Sequence, residues 1–212
     1  AQLRHGLANF STGSRLRITV RVVRLIGNSL YVEDVEASVN EETGIMEKAG
    51  IFLYHSFVSA LGKYEPGDVI SLECQASDTD DYGFQLVNAS NLRTIEKGTD
   101  VEIRVVPEDV TSLRAYEGLV VQINEFIVTK VGNQNSETKA FTIYGKFKNG
   151  AEVQVRIDGD ASPKLGHSVP IVGTSYKVIG GVSKFVDRFN DNTVIYQIKL
   201  GNQKGVGLYD FI

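Results

Sequence analysis

A two-residue alternation of apolar and polar side chains runs along most of this chain and constrains its fold more than any other feature. In the run LRITVRVVRLI, the residues Leu16, Ile18 and Val20 share one side, and arginine or threonine occupies the other. Such alternation is typical of a β-strand with one buried face. Similar short runs follow, separated by turn signals such as Pro66-Gly67, and long amphipathic helices are missing. The sequence therefore predicts an all-β fold.

A weak internal repeat divides the chain into two halves. Phe84-Gln85-Leu86 near the end of the first half corresponds to Tyr196-Gln197-Ile198 in the second, and each half opens with a long β-run, ITVRVVRLI or LVVQINEFIVTKV. Two copies in the same order favour two small barrels over one large sandwich. The predicted domains are residues 1–100 and 117–212. Residues 101–116 form the predicted linker, with a short helix that has Pro107 in its first turn.

Several segments resemble an OB-like domain family of exported or surface lipoproteins of gut anaerobes. In the first half these are VRVVRLIGNSLYVEDVE, the strand start Gly67-Asp68-Val69-Ile70, and QLVNASNLRTI; in the second they are TSLRAYEGLVVQINEFIV and GKFKNGAEVQVRI. The resemblance implies two tandem OB-like five-stranded barrels. Members of this family often have no assigned function or are described as nucleic-acid-binding candidates. It also implies export to the periplasm or cell surface, with a lipid anchor on the full-length protein.

Signatures of an enzyme or a metal site were not found in the sequence. The single cysteine, Cys74, lies in an apolar alternation and is predicted to be a buried thiol, and zinc pairs of the C-x-x-C type are impossible. His5, His55 and His167 have no helical metal-ligand spacing, and no phosphate loop or nucleophile elbow occurs. No apolar run is long enough to span a membrane. We therefore expect no catalysis, metal, cofactor or transmembrane segment.

The acidic cluster at Asp78, Asp80 and Asp81 contains the oxygen ligands that calcium prefers. Tyr82 and Ala89 stand where a calcium loop needs an oxygen donor and a glutamate. A hairpin turn before Gly83 is therefore predicted instead.

The leading candidate site is the hairpin FTIYGKFKNGAEVQVRI in the second half. Asn149-Gly150 is a strong hairpin signal, and OB barrels commonly bind ligands on the strand 2–3 face. If the apolar residues point into the barrel, one outward set is left: Tyr144, Lys146, Lys148, Gln154 and Arg156. An aromatic ring among cations suits single-stranded nucleic acid, and it would serve an oligosaccharide nearly as well.

Two further segments of the chain are basic. The run VSKFVDRF adds Lys184, Phe185 and Arg188 in the position of the loop before the last strand; its i, i+3, i+4, i+7 apolar spacing favours a short helix that closes a barrel end. The first strand carries a stripe of Arg15, Arg17 and Arg21, which is predicted to be solvated or paired with Glu33, Asp34 and Glu36 on the neighbouring strand.

Charge ranks the two halves as partners for a polyanion. Residues 1–107 contain 10 Lys and Arg against 15 Asp and Glu, whereas residues 108–212 contain 12 against 11. Only the second half favours a polyanion, and binding there should be weak and salt-sensitive. The predicted function is non-catalytic binding of single-stranded nucleic acid or another extended polymer. The alternative is a structural or protein-interaction module of an exported cell-surface assembly.

Overall fold

The computed structural model describes residues 11–26, 29–40, 44–54, 61, 63–98, 100–158 and 170–200. These residues form β-strands and turns, with no α-helix among them, which confirms the all-β prediction. The chain divides into two compact units, Ala1–Glu102 and Ile103–Ile212.

The first unit contains the following described strands: β1 (Arg15–Ile26), β2 (Ser29–Glu33), β3 (Ser38–Val39), β4 (Met46–Glu47), β5 (Gly50–Leu53), β6 (Val69–Thr79) and β7 (Gly83–Glu96). Five of them close into a barrel in the order β1-β2-β5-β7-β6, and β3 and β4 pair separately. β5 and β7 are parallel. Alternate apolar side chains fill the barrel, including Val20, Ile70, Leu72 and Leu86.

The second unit contains the following described strands: β8 (Arg104–Val105), β9 (Val120–Val131), β10 (Phe141–Lys146), β11 (Glu152–Ile157), β12 (Ser175–Asp187) and β13 (Thr193–Leu200). The order is β10-β11-β13-β12-β9-β8, and β10 also pairs with β9, so five strands form a closed cycle. β11 and β13 are parallel. Strands β9 to β13 therefore repeat the pairing order of β1, β2, β5, β6 and β7.

The weak sequence repeat is present in the strand register. Leu53 pairs with Leu86 across the parallel strands of the first unit, and Val155 pairs with Ile198 across those of the second. The matching tripeptides that end in Leu86 and Ile198 thus occupy equivalent places. Because both residues are fully buried, the repeated apolar position is a core position in each unit.

The segment predicted as a linker with a short helix differs in the structure. Val106 and Leu113 are buried in the core of the second unit, and Arg104–Val105 pairs with β9. Pro107 opens a turn closed by the N–H of Val110 at 3.2 Å, and the only helical element described here is a 3-10 turn at Arg114–Tyr116. So short a helix is marginal on its own, and burying two apolar side chains against the sheet decides the path.

The helix or ligand loop predicted for VSKFVDRF is also wrong. Val182 to Asp187 belong to β12 and pair residue by residue with β13, Lys184 opposite Tyr196 and Phe185 opposite Ile195. Arg188 lies in the turn that follows. Apolar residues spaced for a helix also occur in a long strand when both of its sides are partly covered. Here the sheet hydrogen bonds with β13 determine the outcome.

Candidate nucleic-acid interface

The β10–β11 hairpin orients its side chains as the alternation predicts. Ile143, Val155 and Ile157 are fully buried in the core of the second unit, whereas Tyr144 and Gln154 lie on the outer side and are half-buried. The connecting turn is closed by a hydrogen bond from the Gly150 N–H to the Phe147 carbonyl at 3.0 Å. Gly150 has a φ of 91°, a left-handed conformation that favours glycine.

A row of three outward side chains crosses β9, β10 and β11. Tyr144 pairs with Lys130 on one side and with Gln154 on the other. The ammonium nitrogen of Lys130 lies 5.4 Å from the centre of the Tyr144 ring, within the range of a cation–π interaction. We call these three residues the tyrosine row. It combines a ring, an amide and a cation on one face.

A second row lies next to the tyrosine row. Arg156 pairs with Thr142 on β10 and with Lys199 on β13. The Arg156 Nε and the Lys199 Nζ lie 3.4 Å and 3.0 Å from the two carboxylate oxygens of Asp158, and an Arg156 Nη donates to the Thr142 hydroxyl at 3.4 Å. Asp158 therefore offsets part of the charge and also orients the guanidinium.

Lys146 and Lys148, two residues apart, have different surroundings. Lys146 is exposed at the end of β10, and the structure gives its side chain no ion pair among the described residues. The Lys148 ammonium lies 3.1 Å from Glu108 and 3.7 Å from Glu125. Its hydrogen bond to Glu108 and the charges of both carboxylates raise the pKa of Lys148. Lys148 thus belongs to an ion-pair cluster and not to the tyrosine row.

The structure does not bring Lys184, Phe185 and Arg188 into this face as one group. Lys184 and Phe185 are consecutive in β12, so their side chains lie on opposite sides of the sheet. β12 pairs with β9 only through Ser175–Gly181, and Lys184 and Phe185 lie beyond that pairing, opposite β13. These residues therefore do not extend the tyrosine row.

Sequence reasoning missed Lys130, Thr142 and Lys199 on this face. Lys130 reaches Tyr144 because the β9–β10 register shifts by one residue between Tyr144 and Gly145. Such a β-bulge re-aims a side chain and leaves no clear signal in the alternation. Lys199 meets Arg156 through a parallel pairing of strands far apart in the chain.

The remaining sequence predictions have mixed outcomes. Asp80 and Asp81 lie in the predicted hairpin turn between β6 and β7, where the Tyr82 N–H donates to the Thr79 hydroxyl at 3.2 Å. Within the described ranges, no group of three His, Cys, Asp or Glu could hold a metal ion. Cys74 is buried as predicted, and burial raises the pKa of its thiol to about 11. The three histidines lie outside the described residues.

The predicted pairing of the β1 arginines with the acidic run is not seen. Arg21 stands opposite Glu33 in the register, but the Glu33 carboxylate pairs with Lys48 at 3.5 Å. Asp34 accepts a hydrogen bond from the Ala49 N–H at 3.1 Å. Arg15 and Arg17 are exposed.

Comparisons with known proteins found no matching family model and no matching curated protein. Among solved structures, the chain is similar to a murine DNA-binding protein bound with double-stranded DNA, with 16% identity, a TM-score of 0.40, and coverage of 87% of this chain and 90% of that one. It is also similar to the tetrameric p202 HIN2, with 10% identity, a TM-score of 0.37, and coverage of 92% and 94%. A deletion mutant of the single-stranded DNA-binding protein from Thermus aquaticus gives 10% identity, a TM-score of 0.27, and coverage of 90% and 93%. At these values the likeness identifies neither a family nor a ligand.

A search for helices that could cross a membrane found none in the part of the chain that the structure describes.

Proposed function

We propose that this protein is a non-catalytic binding protein with two OB-like barrels in tandem. We further propose that it binds an extended polymer, foremost single-stranded nucleic acid, on the outer face of β9, β10 and β11. The tyrosine row carries the proposal, because Lys130, Tyr144 and Gln154 stand side by side in one register. The shared pairing order of the two units supports the OB-like assignment, since each closes through a parallel third and fifth strand.

Each part of the face supplies one element of strand recognition. The Tyr144 ring offers a stacking surface that any base can use, and the Gln154 amide can donate and accept hydrogen bonds at a base edge. Lys130 and Lys146 supply positive charge for phosphates, and Arg156 adds a guanidinium whose charge is shared with Asp158. Export and a lipid anchor remain proposals that depend on the family resemblance.

The test is a fluorescence anisotropy titration of the whole chain with labelled single-stranded DNA and RNA 20-mers at low salt. Base stacking on an aromatic side chain contributes about 1–3 kcal/mol, so Tyr144→Ala should weaken binding by roughly 5- to 150-fold. Lys146→Gln should weaken it modestly and lower the salt dependence by about one phosphate contact.

Lys148→Gln is the matched control, since it removes the same charge two residues away. Its ammonium is already held by Glu108 and Glu125, so we expect binding close to that of the parent chain. Equal losses in Lys146→Gln and Lys148→Gln would show a general charge effect and would overturn the proposed face. Binding that does not respond to salt would instead indicate an uncharged polymer such as an oligosaccharide.

A protein-interaction module is the second candidate function. The ion pairs of Lys148 with Glu108 and of Arg156 with Asp158 favour it, because they occupy two cations of the predicted set within the chain itself. Under this alternative, no single-stranded 20-mer binds at about 100 μM protein. The dissociation constant would then be larger than is ordinary for non-specific binding to nucleic acid.

A further inference from the structure

We infer that the outer face of β1, β6 and β7 in the first unit is a second binding site, which takes the phosphodiester backbone of an extended strand. The inference deepens the proposed function and rests on it for the kind of ligand. The second site lies in the first unit and shares no residue with the tyrosine row, which lies in the second unit. The surface of this face has two adjoining depressions of about 440 Å³ and 190 Å³, and both are lined by Arg17 and Glu73. We call the two depressions together the groove.

Arginine side chains dominate the charge of this groove. Arg15 and Arg17 line the larger depression from β1, and Arg93 lines the smaller one from β7 together with Arg17. The lining includes one carboxylate, that of Glu73. Glu73 stands opposite Arg17 in the register, yet it accepts a hydrogen bond from the Asn91 amide at 2.9 Å. Over the described ranges, no carboxylate lies within ion-pair distance of the three guanidinium groups.

Two β-bulges in β7 shape the groove. The β6–β7 register shifts on either side of Glu73, and Asn88 and Asn91 both have a positive φ, 55° and 52°. Asparagine tolerates this left-handed conformation better than most residues. The side-chain amides of these two residues donate hydrogen bonds back to β6, Asn88 to the side-chain amide oxygen of Gln75 at 2.6 Å and Asn91 to the Glu73 carboxylate. A bulged strand bends, and here the bend lies beside the arginines.

The chemistry of the lining favours phosphates over bases. A guanidinium group presents a planar fork of donors that matches phosphate oxygens. Serine and asparagine side chains commonly contact the sugar-phosphate backbone of nucleic acids. Arg15 and Arg17 are two residues apart on one strand and so stand about 7 Å apart, which lets them contact successive phosphates of an extended strand. No aromatic ring is among the residues that line the two depressions, so a base would have nothing on which to stack.

The groove is basic within a unit whose overall charge is negative. Residues 1–102 contain 9 Lys and Arg against 15 Asp and Glu, a net charge of −6. Attraction to a polyanion in this unit must therefore come from the local cluster and not from net charge. That makes the site separable by mutation, because removing two charges elsewhere should have no comparable effect.

The test uses the whole chain and a fluorescein-labelled abasic 12-mer, a deoxyribose-phosphate strand without bases, titrated at low salt. Arg17→Gln/Arg93→Gln should weaken binding on the order of tenfold or more, because charge-assisted hydrogen bonds to two phosphates are lost. Arg104→Gln/Arg114→Gln is the matched control, since it removes two exposed arginines of the second unit. The four substituted arginines are exposed, so both double variants should melt like the parent chain.

The outcomes separate this site from the tyrosine row. Loss of abasic-strand binding in the groove variant but not in the control supports the inference, and Tyr144→Ala should leave this binding unchanged. Equal weakening in both double variants, or no binding of the abasic strand by the parent chain, overturns the groove. If the abasic strand binds through the groove while Tyr144→Ala leaves 20-mer binding intact, the tyrosine row fails and the groove stands.

Discussion

Both units place a basic residue, a tyrosine and a third side chain next to one another across three paired strands, but only one of these rows is open. The rows are Arg24, Tyr31 and Phe52 in the first unit and Lys130, Tyr144 and Gln154 in the second. Tyr31 is fully buried, and its ring centre lies 5.0 Å from that of Phe52. Tyr144 is half-buried and faces Lys130.

The difference shows that position in the topology does not decide what a residue does. Arg24 is half-buried, and this burial lowers its pKa to about 10, whereas Lys130 is exposed. An aromatic third residue, Phe52, packs on the tyrosine in the first row. A polar third residue, Gln154, leaves the ring of the second row accessible. The same register has thus become a structural cluster in one unit and a candidate binding face in the other.

Replacing each tyrosine by alanine should show the largest contrast. We expect Tyr31→Ala to lower the free energy of unfolding by about 3–5 kcal/mol, as for other large buried aromatics, because it leaves a cavity beside Phe52. Tyr144→Ala should lower it by about 1 kcal/mol or less, since the ring is partly in solvent. Urea denaturation followed by circular dichroism measures both. Similar losses would mean that the two rows do not differ in burial.

The next effect concerns the residue after each tyrosine, Val32 in the first unit and Gly145 in the second. A Cβ on Gly145 would lie 2.4 Å from the Phe126 ring and 2.7 Å from the Ile127 carbonyl oxygen. Gly145→Ala should therefore cost roughly 1–3 kcal/mol by overpacking. Thermal and urea unfolding measure it. Adding Phe126→Leu to Gly145→Ala should recover part of the lost stability, because the smaller side chain leaves room for the new methyl group. If the losses of the two single variants simply add in the double variant, the Phe126 ring is not the obstacle.

A smaller effect concerns Cys74 and Gly180, which stand two residues before Ala76 and Val182, the residues that pair with Leu86 and Ile198. A Cβ at Gly180 would lie 2.5 Å from Ile198, whereas the first unit buries a thiol at the equivalent place. The folded pKa of about 11 exceeds the ordinary 9.0, so the unfolded chain ionises first. The neutral Cys74 thiol therefore contributes fully to the free energy of unfolding below pH 9. This contribution is lost as the pH rises toward 11, and the loss is about 1 kcal/mol at pH 10.

Comparing the parent chain with Cys74→Ala isolates this contribution, because both carry every other titrating group. The difference in stability between them should shrink as pH rises from 8 to 10. A thiol reagent at pH 8 should label Cys74 only after unfolding. Rapid labelling of the folded chain would contradict the buried thiol.

The smallest stability effect is expected from making the open row resemble the closed one. Gln154→Phe should change the free energy of unfolding by no more than about 0.5 kcal/mol, since the position faces solvent in part. It should strengthen binding of a single-stranded 20-mer several-fold by adding a second stacking ring. The reverse change, Phe52→Gln, should destabilise the chain and leave 20-mer binding unaltered. Unchanged affinity in Gln154→Phe would argue against stacking at this face.

Apart from Val182–Asp187, whose spacing favoured a helix, the sequence by itself determined the long strands, the sidedness of the β10–β11 hairpin and its turn. Alternation in β10 and β11 correctly predicted which residues point inward, and Asn149-Gly150 predicted their turn. The repeated tripeptides likewise predicted two equivalent core positions. These features depend on neighbours within a few residues, because side-chain direction and turn conformation are set by local backbone sterics.

Only the tertiary structure decided which outward residues meet. Lys130 joins Tyr144 through a bulge, Lys199 reaches Arg156 across a parallel pairing, and Lys148 is drawn away by Glu108 and Glu125. VSKFVDRF became a strand because its partner strand β13 was present. Register, ion pairing and burial depend on residues brought together from distant parts of the chain. A two-residue pattern says which way a side chain points, but it carries no information about what lies opposite.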